Sequence, residues 1–188
     1  MDFSLGFEHT PNMLKDADDE ILVRAAKYNR TNFTPLYQRY FDRVYSYIYN
    51  RVRNNFEAED LTIQVFIDAM ESLPRYHARG QFAGWLFTLA YRRCADHFRK
   101  PTTESLNEDL SDGSDPAEQV IQSEVRERLA KLVEGLNETD QELLRLRYAA
   151  ELSYSGIAYV LGKNEGAVKM ALLRLLQRVK SQWEIENG

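Results

Sequence analysis

Cysteine occurs once in the 188 residues, at Cys94, so no disulfide can form within the chain. The opening "MDFSLGFEHTPNML" has no basic stretch followed by an apolar block, so no secretion leader is expected. Both features point to the cytoplasm. No apolar run approaches the roughly 20 residues that span a bilayer, so no membrane insertion is expected. The three histidines, His9, His77 and His97, are scattered. With a single cysteine they cannot supply the four spaced ligands of structural zinc. There is no phosphate-cradling glycine loop and no placeable Ser-His-Asp order. An enzyme, a metal and a cofactor are therefore not expected. Glycine (9) and proline (5) are scarce. No alternating apolar–polar run is bounded by turn residues, which argues against a sheet.

What is present is charge asymmetry. The formal net charge is −5. Residues 33–100 carry ten basic against seven acidic side chains, and residues 143–183 carry seven against two. Between them, residues 101–142 carry three against twelve. Two basic blocks flank an acidic middle. Local charge sets the field at a phosphate, so overall acidity does not exclude nucleic acid.

Apolar spacing predicts helices almost throughout. Leu36, Tyr37, Tyr40, Phe41, Val44, Tyr45, Ile48 and Val52 form a wide helical stripe over 33–52 that Asn54-Asn55 interrupts. A second helix is expected over 57–73, with Leu61, Val65, Phe66, Ala69 and Met70 inward and Pro74 as its stop. The loop "RYHARGQF" follows. A third helix over 83–100 turns Trp85, Leu86, Leu89, Ala90 and Phe98 inward, among which Cys94 reads as a small buried side chain. Residues 101–116, "PTTESLNEDLSDGSDP", read as a flexible acidic linker. Helices resume over about 117–134 and 139–149, with Thr139 expected to cap the latter. The fold class is all-α, two small helical domains on a flexible tether.

The stretch "YSGIAYVLGKNEGAVKMALLRLLQRVK" (154–180) reads as a helix-turn-helix. Ser153 caps the first helix, although Gly156 stands where a capping box would place Glu or Gln. Gly162 can adopt the left-handed turn that ends that helix, and Asn164 can cap the next. Val168, Leu172, Leu175, Leu176 and Val179 give the second helix an inward side. The front of such a helix meets base edges in the major groove. Arg174 suits guanine, and Lys163, Lys169 and Arg178 suit phosphates. Met170 and Ala171 offer only apolar contact. A helical hairpin with a solvated basic face is the plainer alternative for this segment alone.

Three stretches occur in order: "AEDLTIQVFIDAMESL" (58–73), "GQFAGWLFTLAYRRCADHFRK" (80–100) and "LLRLRYAAELSYSGIAYVLGKNEGAVKMALLRL" (143–175). Together they resemble the extracytoplasmic-function (ECF) group of bacterial sigma-70 factors, over about residues 18–183. The resemblance implies a promoter-specificity subunit that binds core RNA polymerase, through its clamp coiled coil and flap, and promoter DNA. It implies a segment 1–17, a region 2 domain at 18–100, the linker at 101–116, a region 4 domain at 117–183 and a tail at 184–188. Polymerase would be met by Glu59, Asp60, Thr62 and Gln64 on an exposed helix face, where Ile63 replaces a frequent Gln. The minus-10 element would be met by Arg75, His77, Arg79, Gln81, Arg92, Arg93, Arg99 and Lys100, with Tyr91-Arg92 departing from the usual "Ala-Arg-Asn". Asp96 would tether structure. The minus-35 element would be met by Lys163, Asn164, Glu165, Lys169, Met170, Ala171, Arg174 and Arg178, with Met170-Ala171 replacing a frequent Ser-Arg. An anti-sigma factor is implied as a further partner, and a monomer when free. The acidic linker would either thread near the RNA exit path or stay solvated. A two-domain regulator with a sensing or dimerising first half is the main alternative, and a helix-turn-helix scaffold turned to protein binding is another.

Overall fold

A computed structural model describes residues 18–77, 80–99 and 128–187. The linker 101–116 and the segment 1–17 lie outside the described residues, as does the front of the helix expected over 117–134. Among the described residues there is no strand, and no helix is long and apolar enough to cross a membrane.

α1 spans Asp19–Tyr28, capped by Asp18, and buries Leu22, Val23 and Ala26. A 3-10 turn at Arg30–Phe33 leads into α2, Thr34–Val52, with Pro35 in its first turn where a missing N–H costs nothing. α2 ends on Arg53 in the left-handed region (φ 57°), with its N–H donating to the Tyr49 carbonyl. Asn54, expected only to break the helix, also starts the next one: its side chain accepts from the Glu57 N–H at 3.1 Å. α3 is Asn55–Ser72, and a 3-10 turn containing Pro74 closes it. α4 is Phe82–Arg99.

In the second half, α5 covers 128–134. α6, Glu138–Leu144, is capped by Asn137 and not by Thr139: the Asn137 side chain accepts from the Asp140 N–H at 3.0 Å. The helix expected to run to 149 instead widens into a π turn over Arg145–Ala149, with the Ala150 N–H donating back to the Arg145 carbonyl at 2.9 Å. α7 is Tyr154–Leu161 and α8 is Glu165–Asn187. Ser153 caps α7 and Gly162 (φ 61°) ends it, as the sequence predicts.

The two halves pack directly on each other, and one apolar cluster runs through both. It joins Leu36, Val44, Tyr47, Ile48, Leu86 and Phe87 to Leu146, Leu152, Ile157, Leu172 and Leu175, all at 2% exposure or less. Each such side chain contributes about 1.5–3 kcal/mol by leaving water. Gly84 on α4 lets α7 come close: a Cβ there would sit 3.2 Å from the Tyr159 Cβ and 3.3 Å from the Gly156 carbonyl oxygen.

Polar groups of α2 also reach across. The Arg43 guanidinium donates to the carbonyls of Ala150 (2.6 and 3.0 Å) and Glu151 (3.1 Å). The Tyr47 hydroxyl donates to Glu142 at 2.5 Å, and Arg51 pairs with the same carboxylate at 2.7 Å. Glu142 is only 6% exposed. Arg145 adds a second cation to it at 3.4 Å. Burial, with the Glu142 charge next, holds the Tyr47 phenol well above its usual range.

Two side chains expected inside are outside. Phe98 is 56% exposed and Leu176 is 38% exposed. Phe98 sits beyond the reach of α3, and Leu176 faces a groove between α8 and α5 that also contains Leu129 and Val133.

Candidate nucleic-acid and polymerase interfaces

The reading-helix candidate is built from its back. Val168, Leu172 and Leu175 anchor α8 in the core. Asn164 accepts from the Gly166 N–H at 2.8 Å, leaving the other first-turn N–H groups available to an anion. Lys163, Asn164, Glu165, Lys169, Met170 and Arg174 are all exposed. Ala171 is not on this face. It is half-buried against the core, since it lies three residues after Val168 and four before Leu175. Arg178 is exposed but already pairs with Asp140 of α6 at 2.6 Å.

The minus-10 candidates divide more sharply. Arg79 and Lys100 lie outside the described residues. Arg75, His77 and Arg92 are exposed, and Gln81 is half-buried. Arg93 is not a free phosphate contact. It forms a two-pronged ion pair with Asp68, tying α4 to α3. A pairing 25 positions apart leaves no local signature. Arg99 is paired with Asp96 one turn earlier on α4.

The loop between α3 and α4 hangs on three aromatic rings. Tyr76 is 4.8 Å from Trp85 and 5.9 Å from Phe82, and Phe82 is 5.5 Å from Trp85. Lys27 of α1 donates to the Tyr76 carbonyl and lies over its ring. Burial pushes the Tyr76 phenol up to about 12. Gly80 supplies the left-handed residue the loop requires (φ 68°). Phe82 and Trp85 therefore brace the loop, and their sides are committed to neighbouring rings.

On α3, Glu59, Asp60 and Gln64 are exposed as expected. Thr62 is not. It is fully buried, and its hydroxyl donates to the Ala58 carbonyl at 2.6 Å. It shares the inward stripe of Ala58, Leu61, Val65 and Ala69. The side chains that do stand out are Ile63 (51% exposed) and Ile67 (47%), one turn apart. Their signal was present in the sequence: "LTIQVFI" carries more apolar residues than one inward stripe can hold.

A helical bundle followed by a helix-turn-helix with an exposed cationic front defines a two-part DNA-binding protein. A model of sigma-70 region 2 matches residues 36–103, and one of sigma-70 region 4 matches residues 126–179. The ECF RNA polymerase sigma factor BldN of Streptomyces coelicolor is 36% identical over 166 residues, covering 84% of this chain and 62% of BldN. The RNA polymerase sigma factor YlaC of Bacillus subtilis is 28% identical over 159 residues, covering 81% of this chain and 92% of YlaC. A solved structure of CnrH in complex with the cytosolic domain of CnrY shares the fold, with a TM-score of 0.67 at 19% identity, covering 90% of this chain and 99% of that one. The chain belongs to the extracytoplasmic-function group of the sigma-70 family. It spans less than two thirds of BldN and nearly all of YlaC.

Proposed function

We propose that this chain is a promoter-specificity subunit: it binds core RNA polymerase, brings it to promoters through minus-35 and minus-10 contacts, and assists strand opening. The observation that carries this reading is the pairing of two unlike surfaces in one chain. One is the acidic and apolar face of α3, Glu59, Asp60, Ile63, Gln64 and Ile67, which suits a partner helix with basic and apolar groups. The other is the cationic front of α8, which suits the major groove.

In this reading α8 places Arg174 at a base edge, while Lys163 and Lys169 hold phosphates. Met170, 47% exposed, offers its apolar side chain to a thymine methyl. The braced loop with Arg75, His77, Arg79 and Gln81 receives an unpaired minus-10 base, and Arg92 tracks the backbone beside it. The region boundaries stay at 18–100 and 117–183. The chain performs no chemistry itself and works in the cytoplasm, where polymerase and chromosome are. Complex formation with a cytosolic inhibitory domain, as in the CnrH structure, extends to this chain as an anti-sigma factor that competes for the same faces.

The test is reconstitution. Purified chain with core polymerase gives transcription from promoters selected in vitro, and the chain alone binds the same duplex poorly. If core polymerase neither binds it nor gains promoter selectivity, the reading is wrong.

A further inference from the structure

The contacts between the two halves are placed where promoter binding needs separation. Gly84 lies in the first turn of α4, directly after the candidate minus-10 loop, and it touches Tyr159 of α7. α7 is eight residues long and leads through Gly162 into the reading helix. The loop and the front of α8 are thus held within roughly 25 Å, a short helix and its turns. Minus-10 and minus-35 elements are about 25 base pairs apart, or about 85 Å at a helical turn of about 34 Å per ten pairs. One molecule in this arrangement cannot grip both. The 28 residues from 100 to 127 can cover at most about 90–100 Å when fully extended, enough for both elements once the halves part.

The clasp between the halves has the chemistry of a separable contact. Its centre is the buried Glu142 carboxylate, shared by Tyr47, Arg51 and Arg145, with Arg43 on the Ala150 and Glu151 carbonyls beside it. Buried ion pairs add little net stability, because taking the charges out of water nearly cancels their attraction. They do fix one geometry, since a half-broken pair leaves a charge uncompensated. On opening, Glu142 and Arg51 regain water, so the cost of parting is lower than for an all-apolar seam. Glu151 takes a left-handed backbone (φ 50°) at the point where Arg43 holds its carbonyl. Non-glycine residues rarely hold that conformation without outside support.

We propose that the chain carries a built-in closure. Arg43, Tyr47 and Arg51 of α2 clasp Glu142 and the Ala150–Glu151 carbonyls, keeping the minus-10 loop and the reading helix too close for promoter binding until polymerase and DNA draw the halves apart. This rests on the promoter-specificity reading above. The partner of the opened clasp is the holoenzyme itself, and the closed chain is a storage form.

The test locks the clasp reversibly. A Gly84→Cys/Tyr159→Cys pair places two Cβ atoms 3.2 Å apart, close to the 3.5 Å lower end of disulfide spacing. The native Cys94 is buried, and its thiol is pushed up to about 12, so it does not compete. With core polymerase, the oxidised pair is expected to lose promoter-dependent transcription at least tenfold, with recovery on reduction. Equal transcription by oxidised and reduced chains would overturn the closure. Independently, Glu142→Gln in the otherwise natural chain should raise the radius of gyration seen by solution X-ray scattering and tighten binding of free chain to promoter duplex severalfold. An unchanged radius and unchanged binding overturn the closure even if the cysteine pair folds poorly. Failure of the natural chain to direct polymerase would instead sink the promoter reading, and the scattering result would still judge the clasp.

Discussion

The two DNA-facing regions are built on opposite plans. Around the minus-10 loop, most of the charge is already spoken for: Arg93 binds Asp68, Arg99 binds Asp96, and Lys27 holds a loop carbonyl. Tyr76, Phe82 and Trp85 fix the loop from below. On α8, aliphatic side chains alone hold the helix, and Lys163, Lys169 and Arg174 project into water. The first region is pre-shaped, as capturing a single unpaired base requires. The second relies on charge and a regular helix, as reading an intact duplex requires. Shape is lost by truncating rings, whereas charge is lost by adding salt.

The largest effect should come from removing what both regions share. Leu146→Ala, in the π turn at 0% exposure, is expected to destabilise the chain by about 2–5 kcal/mol. Urea unfolding followed on both halves should then show one lower midpoint. Two separate transitions would break the idea of a shared core.

Next, Arg174→Ala should cost about 1–3 kcal/mol of upstream-element discrimination while leaving the loop's work intact. A holoenzyme footprint unchanged at the minus-35 element would remove Arg174 from the reading face. In the other region, Arg75→Ala with Gln81→Ala should lower open-complex yield, read by permanganate reactivity, more than closed-complex affinity. Equal losses in both would mean the loop is a general anchor and not a base pocket.

Alkali sharpens the contrast between buried and exposed groups. The Cys94 thiol is pushed up from 9.0 to about 12 by burial, and the Tyr76 phenol from 10.0 to about 12. Their neutral forms are favoured in the folded chain. Stability is therefore full below about pH 9 and falls as pH rises towards 12, because the unfolded chain ionises first. The urea midpoint should drop between pH 8.5 and pH 11, and Cys94→Ala should flatten the earlier part of that drop. A midpoint independent of pH would contradict the burial.

The smallest stability change is expected on α3. Ile63→Lys should leave the unfolding midpoint nearly unchanged, since the side chain is half in water, yet weaken capture of core polymerase in a competition assay. Thr62→Ala should do the reverse, with a small stability loss and unchanged capture. If Thr62→Ala weakens capture and Ile63→Lys does not, the face is misassigned.

Much of this was legible in the chain. Helix type and order followed from the 3.6-residue apolar period, and Ser153, Gly162 and Asn164 marked their turns, because caps and left-handed residues act within three or four positions. The exposed front of α8 followed from the same period. Thr62 was misread because its motif position outweighed its place on the inward stripe with Ala58 and Leu61. Arg93 was misread because its partner, Asp68, is on another helix.

The sequence by itself determined the helices, their ends and the two basic blocks, since those depend on neighbours along the chain. Only the tertiary structure decided which charges are free and that the halves share a core. It also placed Glu142 between Tyr47 and Arg51, from positions 95 and 91 residues away. Such pairings depend on where helices cross. A crossing is set by side chains on both partners at once, here by a glycine at 84 small enough to admit Tyr159.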